Sequence, residues 1–366
     1  MSLFELAPDP PTSLGSLGEA WKGMLGSMEK KSAFELLDTF VAAGGNLIDT
    51  ANNYQDEESE LWIGEWMAER GNRDEMVIAT KFTSNYVGHR KGKGLGSVNA
   101  SGNHKRSLHV SLRDSLKKLQ TDWVDILYVH WWDWTTSIEE LVDSLDVVVK
   151  QGRVMYLGIS DTPAYIVAAA NTYARATGKT QFSIYQGRWN VMLRDLEREI
   201  IPMARHFGMA IAPWDAVGGG EFQTASQLVE KAENNESVRA IMGAPAEQTE
   251  NEVKISEALH KVAKAHDIES PTAVALAYVM AKAPNVFPIV GGRKIKHLQD
   301  NIKSLDIKLS RADLDYLESI VPFELGFPLN MLGPDPHYGE KPGTHVACVA
   351  PMSYVQRERP IGYEES

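Results

Sequence analysis

The sequence predicts an α/β fold, a single (β/α)8 TIM barrel, from three observations. Short, continuously apolar runs alternate with amphipathic runs from about residue 30 to residue 320. No domain linker interrupts the alternation, so one barrel explains it better than two doubly wound domains. No Gly-x-Gly-x-x-Gly follows an early apolar run, which weakens the dinucleotide-binding doubly wound alternative.

The elements follow in order. "KKSAFELLDTFVAAGG" (30–45) carries apolar residues at helical spacing and ends in glycines, a helix with its stop. "NLIDT" (46–50) is a strand, and "ESELWIGEWMAERGNRD" (58–74) the next helix. The pairs continue as "EMVIATK" with "HKRSLHVSLRDSLKKLQTD", then "WVDILYVH" with "SIEELVDSLDVVVKQGR". "VMYLGIS" precedes "TPAYIVAAANTYARATGK", and "QFSIYQ" precedes "LEREIIPMARHFG". After the strand "MAIAPW" and a longer insertion come two helices, "EVKISEALHKVAKAHD" and "PTAVALAYVMAKA". The strand "NVFPIVGG" and the helices "HLQDNIKSLD" and "RADLDYLESI" complete the series. Strands that are short and apolar throughout suit a parallel sheet covered on both faces. "GKGLGSVNASGN" (92–103) reads as a flexible loop over the strand ends, with phosphate binding the weaker alternative. The barrel is expected to span residues 1–322, and the Pro- and Gly-rich segment 323–366 to be an irregular tail.

Composition sets bounds on function. The chain has 366 residues, 43% of them hydrophobic, enough for a large core, and a net charge of −12. An acidic balance argues against nucleic acid and anionic membrane as partners. The single cysteine, Cys348, can form no intrachain disulfide, and no apolar run is long enough to span a bilayer. The first fifteen residues carry Glu5 and Asp9 and lack the basic start of a secretion signal. The expectation is a soluble, cytoplasmic protein.

Chemistry in such a barrel sits at the C-terminal ends of the strands. There the sequence places Asp49, with Tyr54 just beyond it, then Lys81 and His130. Each alone has an ordinary explanation: a helix cap, a loop cover, a solvated strand end, a core histidine. Together, an acid, a phenol, an ammonium and an imidazole at equivalent places suit proton transfer to a carbonyl oxygen. A free tyrosine, with a pKa of about 10, is a weak donor at neutral pH, and an adjacent ammonium lowers that value. Asp49 would hold Lys81, and His130 would orient the carbonyl. With no serine or cysteine nucleophile and no cluster of metal ligands nearby, a nicotinamide hydride is the best partner for that proton. Trp131, Trp132 and Trp134 follow His130, either as a wall for an aromatic substrate or as packing for the loop.

The runs "GGNLIDTANNYQDEESE", "VIATKF", "DILYVHWWD", "LGISD" and "FPIVGGRK", in this order, resemble the aldo-keto reductase superfamily over roughly residues 18–322. "GEAWKGMLG" and "SIYQGRWNVMLRDLEREIIPMARHFGMAIAPWD" are similar to its fungal aryl-alcohol dehydrogenase and norsolorinic acid reductase branch. The resemblance implies Asp49, Tyr54, Lys81 and His130 as the catalytic tetrad and NADP(H) as cofactor. It implies that Ser160, Asp161 and Gln186 hold the nicotinamide carboxamide and that Trp214 stacks on the ring; many members have Asn at the position of Asp161. Gly291, Gly292, Arg293 and Lys294 match the turn that holds the 2′-phosphate, a basic turn opening a helix on an acidic protein. His297 and Asn301 lie on that helix near the adenosine end, where ordinary helix-surface polarity explains them almost as well. The implied reaction is reduction of an aromatic ketone or aldehyde in fungal polyketide or mycotoxin biosynthesis, by a monomer or weak homo-oligomer. A barrel kept as a binding or regulatory subunit, and a dehydratase or cyclase, remain as alternatives.

One part departs from the family pattern. Members begin with a β-hairpin and a first strand, whereas "PDPPTSLGSLGEAW" shows no apolar run and carries prolines that oppose a central strand. The hairpin and first strand are expected to be largely lost, leaving their neighbours with unpaired edges. The tail segment 322–333, with Phe323, Phe327 and Leu329, reads as a substrate lid or as a loosely packed tail.

Overall fold

Each apolar run noted above forms a strand. The strands are β2 (Leu47–Asp49), β3 (Val77–Phe82), β4 (Val124–Val129), β5 (Val154–Ser160), β6 (Phe182–Arg188), β7 (Ala210–Trp214) and β8 (Ile289–Val290). The computed structural model describes residues 13–14, 17–21, 28–91, 95–220, 222, 248–292, 294–338, 343–349, 353–355, 360 and 363–364. Among them, helices of eight residues or more are α1 (Lys30–Ala42), α2 (Glu58–Arg70), α3 (Lys105–Leu119), α4 (Ile138–Lys150), α5 (Ala164–Ala176), α6 (Ile200–Phe207), α7 (Glu250–Ala265), α8 (Pro271–Lys282), α9 (Ile295–Ile302) and α10 (Arg311–Ile320).

The strands pair in parallel in the order β7-β6-β5-β4-β3-β2, with β8 at the far end of the same sheet. Ile211 of β7 also bridges Val286, and Phe287 N–H donates to Ile211 O at 2.8 Å, so the chain entering β8 returns to β7. The sheet therefore curls, with helices outside it, an arrangement consistent with an α/β barrel. Two apolar layers follow from strand alternation. Leu47, Ala79, Ile126, Tyr128, Ile184, Ala210, Ala212 and Phe287 form one buried cluster, in which Ile126 and Tyr128, and Ala210 and Ala212, are two apart. The intervening residues, such as Leu127 and Val129, join the larger core against the helices. α8 is buried almost all round and starts with Pro271, whose missing N–H is harmless in a first helical turn. None of the helices among the described residues is long and apolar enough to cross a membrane.

Two expectations need correction. The slot between β2 and β8 is filled by β1, Ser13–Leu14, where Leu14 pairs with Ile48 on one side and Val290 on the other. The edges of β2 and β8 are thus paired, though by only two residues; the place of an N-terminal hairpin lies outside the described residues. The strand read at 285–292 is confined to Ile289–Val290, because Pro288 has no N–H for a ladder. The described part of the tail packs against the segment that follows β6. Phe323 is covered by the guanidiniums of Arg194 and Arg198 at 5.2 and 4.4 Å, and Arg198 Nε donates to Glu324 O at 2.9 Å. Further on, Arg205, in the last turn of α6, lies 4.0 Å over the Tyr338 ring. Arg194 and Arg198 lie between β6 and α6, on the strand-end side of the sheet, and Arg205 at the other end of α6. Phe327 is exposed, and Tyr363–Glu364 pairs with Leu309–Ser310 just before α10. In the Gly-rich loop, Leu95–Ala100 forms a 3-10 turn, and residues 92–94 lie outside the description.

Candidate active site

Asp49 is the last residue of β2, Lys81 the penultimate residue of β3, and both side chains are buried. Parallel register brings these strand ends together: Asp49 pairs with Ala79, and Lys81 with Tyr128 of β4. The Lys81 ammonium donates to Asp49 Oδ1 and, at 2.8 Å, to Thr50 O. Gln186 Nε2, from β6, donates to Asp49 Oδ2 at 2.9 Å. A buried carboxylate and ammonium are tolerable only when paired and hydrogen-bonded, as these are. Burial holds the Tyr128 phenol well above the ordinary tyrosine range, against the pull of the Gln186 side chain. Tyr128 has room because its neighbour on β5 is Gly158: a Cβ there would lie 2.4 Å from the ring carbons Cδ1 and Cε1.

Tyr54 lies just beyond β2, against this pair. The Lys81 Nζ is 4.9 Å from the Tyr54 ring centroid. The phenol nevertheless stands above its ordinary value of 10.0, because burial outweighs the pull of Lys81 and Asp49 opposes that pull. Burial also dominates at Lys81, pulling it down, yet Asp49 and Tyr54 hold the ammonium above 10.5. His130 follows β4, its ring edge-on to Tyr54 at 5.7 Å. Burial first, and Lys81 second, push its pKa down to about 3, so the imidazole is neutral at physiological pH. Its Nδ1 lies 3.3 Å from Ser84 Oγ. The arrangement is a protonated phenol with a paired ammonium behind it and a neutral imidazole beside it. It can deliver a proton to an oxygen and stabilise the phenolate that remains.

The other candidates divide. Ser160 ends β5 in register with Gln186, and its hydroxyl donates to Asp161 Oδ2 at 3.3 Å. Asp161 has a left-handed backbone, φ 41°, and accepts from Trp214 Nε1 at 3.2 Å. The surrounding protein raises its carboxyl above the usual range, against the indole, the Ser160 hydroxyl and Lys81. Ser160, Asp161, Gln186 and Trp214 thus form one group beside Lys81. Gly291 and Gly292 follow β8 and lead to Lys294, the N-cap of α9; Arg293 lies outside the described residues. His297 is exposed on the first turn of α9, and Asn301 is buried near its end. The three tryptophans separate: Trp131 and Trp134 are 41% and 68% exposed, while Trp132, at 8%, belongs to the hydrophobic core. Trp132 thus packs the loop onto the core. Trp131 Nε1 donates to Ser84 Oγ at 3.2 Å, which ties it to the His130 side of the site.

The sequence matches the profile of the Aldo/keto reductase family over residues 14–322. The chain belongs to the aldo/keto reductase family. It is 57% identical over 387 aligned positions to the aldo-keto reductase ausK of Emericella nidulans, covering 100% of this chain and 96% of that protein. It is 48% identical to norsolorinic acid reductase B of Dothistroma septosporum, across 91% of this chain and 83% of the relative. It is 45% identical to the NADP(+) aryl-alcohol dehydrogenase of Phanerodontia chrysosporium, across 92% and 94%. The protein is thus an oxidoreductase, of a family that uses a nicotinamide cofactor.

This aldo/keto reductase also has site residues that the sequence reading passed over. Tyr128 could have been found, because it sits two residues before His130 and so shares the inward face of β4. Trp21 could not. It lies edge-on to Tyr54 at 6.1 Å, and its indole N–H donates to Asp56 Oδ1 at 3.1 Å. It sits in a segment without periodicity, and only the folded chain brings it there.

Proposed function

We propose that this oxidoreductase uses NADP(H) to interconvert an aromatic ketone or aldehyde and its alcohol, in the secondary metabolism of a fungus, with Asp49, Tyr54, Lys81 and His130 as its catalytic residues. The observation that carries the proposal is the meeting of the buried Asp49–Lys81 pair, the protonated Tyr54 and the neutral His130 at neighbouring strand ends. In reduction, His130 orients the carbonyl oxygen and Tyr54 gives it a proton. The bound nicotinamide would supply the hydride to the carbonyl carbon. Lys81, fixed by Asp49 and Thr50 O, stabilises the phenolate until a solvent proton restores it. Ser160 and Asp161 carry the hydroxyl and carboxylate that a carboxamide needs, and Gln186 lies beside them. The Trp214 indole offers a flat face, and Gly291, Gly292, Arg293 and Lys294 a basic turn for the 2′-phosphate, with His297 and Asn301 along α9. Trp131 and Trp134 would face an aromatic substrate. The fold that goes with this reading is a full (β/α)8 barrel with a shortened first strand, in a cytoplasmic monomer or weak homo-oligomer.

The test is to add a series of aromatic aldehydes and ketones to the purified chain with NADPH and follow the cofactor's absorbance. Turnover that is slower or absent with NADH is expected. No loss of NADPH absorbance with any of them would leave the binding-subunit or dehydratase alternatives standing.

A further inference from the structure

The backbone leaves Tyr54 along a strained course. Gln55, Asp56 and Glu57 follow one another with φ of 51°, 52° and 84°, and none is a glycine. L-residues disfavour this region, and three in succession persist only where the surroundings hold them. Trp21 holds the first two, its backbone N–H donating to Gln55 Oε1 at 2.7 Å and its indole to Asp56 Oδ1 at 3.1 Å, and a buried lysine holds the chain on either side. Lys118, near the end of α3, donates to Asn52 O at 3.0 Å, two residues before Tyr54. The same ammonium lies 3.2 Å from Glu57 Oε2, three residues after Tyr54, and 2.6 Å from Glu60 Oε2 in the first turn of α2. Glu57 is also paired with Arg90 and lies 3.6 Å from His89 Nε2, while Glu60 accepts from Thr80 Oγ1.

Lys118 reaches this point because α3 and α2 touch. A Cβ at Gly64 would lie 2.2 Å from Lys118 O, so only glycine lets the helices approach so closely. The Tyr86 ring covers the ammonium at 5.1 Å. Lys118, Glu57 and Glu60 are all buried. A lysine that grips the chain on both sides of a proton donor controls where that donor points.

We infer that Lys118 is a positioning residue: by bridging Asn52 O, Glu57 and Glu60 it fixes the left-handed turn that aims the Tyr54 phenol at Lys81 and His130. It touches neither substrate nor reacting atoms. Its activity readout rests on the reaction proposed above.

The experiment compares the wild type with Lys118→Met and Lys118→Arg, using NADPH and an aromatic aldehyde. In Lys118→Met, kcat is expected to fall about tenfold or more while the aldehyde KM and the NADPH Kd stay within about twofold, because rate is far more sensitive than binding to a small misplacement of a reacting group. Lys118→Arg should recover most of the rate. Unchanged kcat in folded Lys118→Met overturns the inference, as does a loss of kcat matched by an equal loss of NADPH affinity. Removing the lysine strands two buried carboxylates and can block folding. The variant Lys118→Met/Glu60→Gln then takes its place, and Glu57→Gln tests the turn from the other side, with the same outcomes. If the wild type turns over no aldehyde, the reaction is wrong rather than the positioning. Amide hydrogen exchange of the 50–60 peptide then decides: faster exchange there in Lys118→Met upholds the clamp, and equal exchange sinks it.

Discussion

Tyr54 and His130 face each other across 5.7 Å, and their protons are held in opposite ways. Burial keeps the proton on the phenol and off the imidazole. Only Tyr54 is therefore charged with a transferable proton at neutral pH. Tyr54→Phe should lower kcat at least about 10²-fold, the lower end for a positioned general acid, and leave the NADPH Kd almost unchanged. Steady-state rates with a fluorescence titration check both halves, and near-normal turnover would remove Tyr54 from the chemistry. His130 makes a second prediction, in stability. Its folded pKa of about 3 lies below the ordinary 6.5, so as pH falls through 6.5 the unfolded chain takes up a proton that the folded chain refuses. The stability this residue contributes is whole above pH 6.5 and drains away toward pH 3. Urea unfolding at pH 7 and pH 5 should show the wild type losing more stability on acidification than His130→Asn. Parallel losses would mean that His130 is not held neutral.

Among the elements, strand ends were the readable part. Asp49, Lys81 and His130 each terminate an apolar run, and a run buried on both faces ends where polar side chains begin, so sequence alone marks the spot. Tyr54 was legible only as a companion of Asp49. The turn that aims it was hidden, because nothing in "YQDEESE" marks three left-handed residues and Lys118 sits in "SLKKLQ", which looks like an ordinary solvated helix face. β1 was hidden for another reason: two residues cannot display a period, and their partners, Ile48 and Val290, are far away in the chain. Trp132 is buried and Trp134, with a left-handed backbone at φ 60°, is exposed, a difference that a run of tryptophans does not display. The N-terminus of α9 carries the element-scale prediction. Arg293→Ala with Lys294→Ala should weaken NADPH much more than NADH, because the two cofactors differ by the 2′-phosphate that a basic turn attracts. Equal losses in paired titrations would refute the assignment of that turn.

Over the whole molecule, the described part of the tail is tied to the segment that runs from the end of β6 through α6. Phe323 under Arg194 and Arg198, Glu324 O on Arg198 and Tyr338 under Arg205 fasten it there. Removing residues 323–366 should therefore lower the thermal midpoint, an unchanged midpoint would refute the packing role, and a raised KM for an aromatic aldehyde would show that the tail also serves as a substrate lid. The sequence could not separate these outcomes, since Phe323 and Phe327 look alike and only one of them has arginines waiting for it. A longer chain of dependence crosses the interior. Gly158 leaves space for Tyr128, Tyr128 meets Gln186, and Gln186 holds the far oxygen of Asp49. Gly158→Ala would drive the ring out of place, at the ~1–3 kcal/mol typical of an overpacked core, and should depress kcat through Asp49. Positions 128 and 158 thus share a fixed allotment of volume. In a substitution-tolerance scan, alanine at 158 should be rejected beside tyrosine at 128 and accepted again beside leucine. Larger residues at 158 beside the native tyrosine would show the two sites to be independent. The same coupling implies that homologues drifting apart in sequence can exchange bulk between β4 and β5 only by changing both positions together.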